Sequence, residues 1–241
     1  MPLQRRILQI LTEFSYQLLP ATCIICQLPA KQKLDLCPWC ERDLPWLKHC
    51  CYRCALPLKT NESTLLCGAC LQQQPPFERS IALFNYATPI DNLLKQLKFH
   101  QRLVNAKILG ALMARKIASS YQKQALPEII IPIPLHPRRL RQRGYNQALE
   151  LARPIANYLH IKIDKFNCRR HRYTEAQFSL NAKQRKQNLR NAFTIKKLPA
   201  THIAIVDDVM TTGSTIKEFS YALCNAGAIK VDVWVCARTT L

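Results

Sequence analysis

The chain has 241 residues, 48% of them hydrophobic, with 35 Lys/Arg against 15 Asp/Glu and a formal charge of +20. This is enough for one large domain or two small ones around a packed core, and no apolar run approaches the ~20 residues of a membrane span. So strong a basic excess suits polyanionic partners, nucleic acid or phosphorylated small molecules, rather than basic or neutral ones.

The N-terminus reads MPLQRRILQILTEFSYQLLPA. Arg5 and Arg6 before an apolar stretch resemble a secretory signal, but Glu13 interrupts the stretch and no small-x-small cleavage site follows before the first cysteines. Ile7, Ile10, Leu11, Phe14 and Leu18 fall at helical spacing and predict an amphipathic helix over 1–20. Its apolar face is expected to dock on the protein's own body in preference to a membrane or a partner helix. With neither signal nor span, a cytoplasmic location is expected.

Residues 21–74 show little periodicity but carry four C-x2-C pairs: Cys23/Cys26, Cys37/Cys40, Cys51/Cys54 and Cys67/Cys70. Without a secretion signal such pairs point to metal rather than to disulfides. Each C-x2-C turn presents two thiolates, and two turns complete a tetrahedral zinc shell. Sequential pairing gives one structural site from Cys23, Cys26, Cys37 and Cys40 and a second from Cys51, Cys54, Cys67 and Cys70. Cys50 adjoins Cys51 and could replace it, and His49 is a further candidate ligand. Gly68 relieves crowding where the backbone bends over the metal. A thioredoxin-type use is disfavoured because no βαβ pattern surrounds the pairs, and an iron–sulfur cluster because its ligand runs are spaced differently. A segment of this kind folds around its metal. Lys31, Lys33, Arg42, Lys48 and Arg53 permit contact with nucleic acid without requiring it.

QQQPPFE (72–78) reads as a linker, since adjacent prolines fit neither a helix interior nor a central strand. From residue 79 strands and helices alternate. SIALFNY is strand-like, and 88–99 predicts a helix with Thr88 as cap, Pro89 at the first position and Ile90, Leu93, Leu94 and Leu97 on one face. Further helices are expected over 102–121, 146–159 and 214–226, the last ending at Gly227. EIIIPIP (128–134), a short run at 161–163, IAIVDD (203–208) and KVDVWVCA (230–237) read as strands, several of them buried on both faces. The pattern is an α/β domain with a mainly parallel sheet over 79–241.

Charge is uneven along the chain: residues 138–197 hold 16 Lys/Arg and three Asp/Glu. Against this background HIAIVDDVMTTGST (202–215) places two aspartates at the end of an apolar strand, with hydroxyl residues and a glycine leading into a helix. Open α/β sheets bind ligands at the carboxyl ends of their strands, and a helix start favours phosphate. Gly213 lets the backbone approach a phosphate, and Thr211, Thr212, Ser214 and Thr215 add hydroxyl donors. Asp207 and Asp208 repel phosphate but accept hydrogen bonds from ribose hydroxyls, directly or across Mg²⁺. One loop thus reads both halves of a ribose 5-phosphate. A P-loop is excluded because G-x4-G-K-[ST] is absent.

This stretch is similar, residue for residue across its core, to the phosphoribosyl diphosphate (PRPP) motif of type I phosphoribosyltransferases. IPIPLHPRRLRQRGYNQ (131–147), RHRYTEAQ (170–177) and RKQNLRNAF (185–193) sharpen the likeness. With the cysteine ribbons in front, nearly the whole chain resembles the ComF/GntX family of competence-associated proteins. The resemblance implies a double zinc-ribbon module followed by a type I phosphoribosyltransferase-like domain. It implies a PRPP pocket with Mg²⁺, in which Asp207 and Asp208 hold the ribose and Thr211 to Thr215 hold the 5-phosphate. The loop PLHPRR would present Arg138 or Arg139 to the diphosphate, and Arg143 to Gln147 would begin the next helix along the same cleft. A cover over 170–190 would carry Arg170, Arg172, Gln177 and Arg185. At the biological level it implies DNA uptake, with single-stranded DNA bound by the basic field through Arg143, Tyr145, Arg170, Arg172 and Arg185, and with channel or helicase proteins as partners. Two readings stay open: a DNA-uptake factor with a nucleotide-like pocket, and an active phosphoribosyltransferase acting on a nitrogen acceptor. Arg143 also reads, less well, as part of a solvated basic run, and Tyr145 equally as a packed aromatic.

Overall fold

A computed structural model describes residues 21–30, 34–58, 65–172 and 192–240. The expected helix over 1–20, together with Lys31, Lys33, Gln177 and Arg185, lies outside the described residues. The chain divides into two compact units between Leu44 and Pro45. Among the described residues no helix is long and apolar enough to cross a membrane.

The first unit contains Cys23 to Cys40 and the short helix α1 (Pro38–Arg42), begun by Cys37 as N-cap and Pro38 inside the first turn. In the second unit α2 (Gly68–Gln72) follows Cys67 in the same way. Then come β1 (Arg79–Asn85), α3 (Ile90–Phe99), α4 (Leu103–Ser120) and β2 (Ile129–Pro132). Next are α5 (Pro137–Arg143), α6 (Gln147–Leu159), β3 (Lys162–Ile163) and β4 (Cys168–Arg170). β5 (Phe193–Ile195), β6 (His202–Met210), α7 (Ser214–Asn225) and β7 (Lys230–Arg238) complete it. Five strands form one parallel sheet in the order β1-β7-β6-β2-β3, and β4 and β5 form an antiparallel hairpin. The α/β class expected from the alternation is the one found.

Strand alternation sends Ile203 and Ile205 to one face of the sheet and Ala204 and Val206 to the other, and all four are buried. This is why the central strands read as unbroken apolar runs. On one face α4 packs against β7, β1 and α6, and α6 packs against β6, β2 and β3. Gly110 of α4 permits that approach: a Cβ there would lie 2.3 Å from Pro154 Cγ and 2.6 Å from the Leu151 carbonyl of α6. The other face is covered by Ile216, Phe219 and Leu223 of α7, by Cys168 and Phe193 of the hairpin, and by Leu47, Cys51, Cys67 and Cys70 of the second cysteine module. Each large apolar side chain buried this way contributes about 1.5–3 kcal/mol. The second module is also stitched to the outer edge of β1, where Leu47 N–H donates to Leu83 (3.0 Å), Asn85 N–H to Pro45 (2.8 Å) and Ser80 N–H to Tyr52 (3.1 Å). An otherwise open sheet edge is thereby covered.

Three local differences from the sequence reading bear on the site. PLHPRR is not wholly a loop: Pro137–Arg143 is helical, capped by His136, whose Nδ1 accepts from the Arg138 N–H at 3.1 Å, and stopped by Gly144 at φ +80°. Arg143 therefore ends one helix instead of beginning the next, which starts at Gln147 under the Asn146 cap. β6 runs past both aspartates to Met210, because pairing with β7 continues to Met210↔Arg238. At α3 the shift is one residue, with Pro89 in the cap position and Ile90 first.

Candidate functional site

The two cysteine modules share one local plan. In each, the first cysteine N–H bonds forward to a leucine carbonyl (Cys23 to Leu28, 2.8 Å; Cys51 to Leu56, 2.9 Å). The residue after the second cysteine is left-handed and donates back to the first (Gln27, φ 63°; Ala55, φ 53°). A bridge closes each turn, Thr22↔Pro29 in one and Cys50↔Pro57 in the other. Cys50 thus occupies the place of Thr22, at the bridge before the turn, and Cys51 the place of Cys23. The Sγ atoms of Cys23, Cys26, Cys37 and Cys40 lie within 4.8 Å of one another, as do those of Cys51, Cys54, Cys67 and Cys70. A tetrahedron with Zn–S bonds of about 2.3 Å has S···S edges of about 3.8 Å. The observed Cys26···Cys37 (3.7 Å) and Cys54···Cys67 (3.6 Å) separations match it. Backbone N–H groups already face the sulfurs, Cys40 N–H on Cys37 Sγ (3.4 Å) and Cys67 N–H on Cys51 Sγ (3.3 Å), as thiolates require. Both donor sets fit zinc.

The second feature follows from topology. β2 connects outward to its neighbour β3, whereas β6 connects in the opposite direction to its neighbour β7. Where such connections diverge, between the carboxyl ends of β2 and β6, the sheet opens a crevice. Beyond β2 lie α5 and the Asn146 cap, whose Nδ2 donates to Ile133 (2.9 Å) and fixes the start of α6 beside that strand end. At the end of β6 lie Asp207 and Asp208, then Thr211, Thr212 and Gly213, then α7.

Gly213 is buried at φ +74° and occupies the cap position of α7, where a Cβ would lie 2.7 Å from Met210 Cε. Gly213 itself offers no capping side chain, and Thr212 Oγ1 accepts from the Ser214 N–H at 3.4 Å. Thr212 Oγ1 and Ser214 Oγ hydrogen-bond at 2.8 Å, Thr211 and Thr212 are exposed, and Thr215 is half-buried. Asp208 is 4% exposed and forms an ion pair with Lys98 near the end of α3. Asp207 accepts from the Asp208 N–H at 2.9 Å, and burial, then the neighbouring Asp208 carboxylate, lift its carboxyl pKa.

Cations gather around this pair. Arg143 is half-buried, with its guanidinium 5.5 Å from the ring centroid of the exposed Phe99. Burial lowers its pKa and repulsion from Arg139 adds to this, while Asp208 and Asp207 oppose it. Arg170, 9% exposed at the end of β4, is likewise lowered by burial and by Arg139, with Asp207 opposing. The structure therefore brings Arg139, Arg143 and Arg170 into one field with the two aspartates. Arg138 and Arg172 are exposed. Tyr145 is half-buried and donates its hydroxyl to the Leu97 carbonyl, the packed reading of that aromatic. Two residues escaped the sequence reading. Lys98 reads there as the polar face of an amphipathic helix, and only the folded placement of α3 sets it on Asp208. Arg238 ends an apolar strand, and a charge so placed is a legible but unspecific signal.

Residues 15–71 match the double zinc ribbon domain family. Over 224 residues the chain is 38% identical to DNA utilization protein YhgH of Escherichia coli K12, spanning 91% of this chain and 98% of that protein. The Salmonella typhi protein of the same name is 36% identical with the same coverage. Competence protein F of Haemophilus influenzae is 34% identical over 212 residues, 86% of this chain and 91% of that one. Among solved structures, the B. subtilis glutamine PRPP amidotransferase complexed with ADP and GMP aligns over 54% of this chain and 25% of its own, at 19% identity and a TM-score of 0.34. The fold therefore rests on the strand order described above.

Proposed function

The chain belongs to the family of competence protein F and DNA utilization protein YhgH, and on that premise we propose that it is a DNA-utilisation factor that binds Mg-PRPP and single-stranded DNA. The PRPP pocket is the crevice between β2 and β6. Asp207 and Asp208 accept from the ribose hydroxyls, directly or across Mg²⁺. Thr211, Thr212, Gly213, Ser214 and Thr215 surround the 5-phosphate at the start of α7. Arg138, Arg139 and Arg143 face the diphosphate. Bound Mg²⁺ supplies charge neutralisation between the carboxylates and the ligand, and Lys98 holds Asp208 in place before ligand arrives. Single-stranded DNA follows the adjoining basic field through Arg143, Arg170 and Arg172, with Tyr145 at its edge, and Arg185, outside the described residues, is a fourth contact. The zinc sites are structural.

One observation carries this reading. The half-buried Arg139 and Arg143 and the buried Arg170 share one electrostatic environment with the Asp207–Asp208 pair at the crevice. An arrangement that holds cations partly out of water is one that a polyanion suits. The test is a salt series of single-stranded DNA affinity. Four phosphates engaged by Arg143, Arg170, Arg172 and Arg185 give a log–log slope of about −3. A flat response would remove the electrostatic reading.

A further inference from the structure

Arg238 is 2% exposed, and among the described residues its hydrogen-bond partners are all main-chain carbonyls. Nε donates to Cys54 at 3.0 Å. One terminal nitrogen (Nη1) donates to Met210 (3.0 Å), to Thr211 and to Thr239 (2.8 Å). Cys54 is the second cysteine of the turn that opens the second metal site, and Met210 and Thr211 lead directly into the Thr211–Thr215 loop. The strand register makes this reach possible, since Arg238 lies beside Met210 and the Thr239 N–H donates to the Met210 carbonyl at 3.2 Å.

A guanidinium buried among carbonyls needs negative charge nearby. Four thiolates around one divalent ion carry a net double negative charge, and Cys54 is one of the four. The rigid fork of arginine joins both segments at once, and the compact ammonium of lysine cannot reproduce it.

We propose that Arg238 is a positioning residue that couples the second zinc site to the Thr211–Thr215 loop, so that metal in that site holds the loop in its ligand-ready form. The proposal rests on the reading of this loop as a phosphate-binding element, but its structural half stands apart from any ligand. With the metal gone the Cys51–Cys54 turn is no longer held, the Cys54 carbonyl is free to leave Nε, and the loop loses its brace. The first zinc site belongs to the other compact unit.

The experiment compares Arg238→Lys with the wild-type zinc-loaded protein in three readouts: amide hydrogen exchange at 211–215 without ligand, zinc release to a colorimetric chelator, and Mg-PRPP affinity by calorimetry. The variant is expected to exchange about tenfold faster at 211–215. It is also expected to release the second site's zinc about tenfold faster while the first site's release is unchanged. Wild-type exchange and release rates in the variant overturn the coupling. Faster exchange and release in the variant, with a wild-type protein that binds no Mg-PRPP, leave the coupling standing and remove the pocket reading. Unchanged PRPP affinity in a variant that exchanges faster overturns the claim that the brace keeps the loop ligand-ready and leaves the pocket. If Arg238→Lys does not fold, the wild-type protein is partly stripped of zinc and exchange is followed at 51–70 and 211–215. Opening of both together supports the proposal, and opening of 51–70 alone overturns it.

Discussion

Replacing Asp207 by Asn should change stability in a way that depends on pH. Burial and the adjacent Asp208 push the Asp207 carboxyl up to about 8 in the folded protein, whereas an unfolded aspartate titrates near ~3.9. Below pH ~4 both states hold the proton, and the group contributes nothing through ionisation. As pH rises toward 8 the unfolded chain gives up its proton while the folded chain keeps it, so stability is lost over that interval. Roughly four pKa units at about 1.4 kcal/mol each set a ceiling near ~6 kcal/mol. The side chain is only half-buried, and water screens it, which brings the expected effect to about 2 kcal/mol. Asparagine keeps the shape and cannot ionise. Asp207→Asn should therefore match wild type at pH 4.5 and melt about 4–8 °C higher at pH 8 in ligand-free, zinc-loaded protein. Thermal midpoints by circular dichroism across that range are the assay. A variant that differs from wild type equally at both pH values, or that is less stable at pH 8, refutes the reasoning. A functional carboxylate held at a cost to the empty fold is what ligand sites generally show.

Other expectations follow from single contacts. Gly110→Ala forces a methyl group onto Pro154 and the Leu151 carbonyl, and should cost about 1–3 kcal/mol by denaturant melting; an unchanged midpoint would mean that α4 and α6 are farther apart than described. Gly213→Ala puts a side chain at φ +74° against Met210 and should lose about 1 kcal/mol, since left-handed backbone outweighs the entropic gain of alanine; a more stable variant would contradict that backbone. Cys50→Ser should purify with two zinc ions per chain and Cys51→Ser with one, measured by atomic absorption; the reverse would shift the register of the second site.

What the sequence reveals here, and what it hides, divides along physical lines. The cysteine pairs fix their own chemistry, because four thiols at short spacing have few other uses, and the buried strands announce themselves as apolar runs. The ambiguity between Cys50 and Cys51 is one that spacing cannot resolve; the matching bridges Thr22↔Pro29 and Cys50↔Pro57 favour Cys51. α5 was missed although its signals are present, Pro137 at the start and Gly144 after the end, because a seven-residue helix rich in arginine has no apolar stripe. The β4–β5 hairpin has strands of three residues, too short for alternation to register. At the site, the acids and the threonine loop are local in sequence and legible. Lys98 and Arg238 reach it only through tertiary packing, from an α-helix and the last strand.

The central claim is that the crevice between β2 and β6 holds an activated sugar phosphate on Asp207 and Asp208. Calorimetric titration of the zinc-loaded protein with PRPP and Mg²⁺, repeated on Asp207→Asn combined with Asp208→Asn, tests it most directly. The account predicts saturable binding to the wild type that depends on Mg²⁺ and its loss in a doubly substituted protein of unchanged circular dichroism. Equal affinity in the two proteins would contradict it.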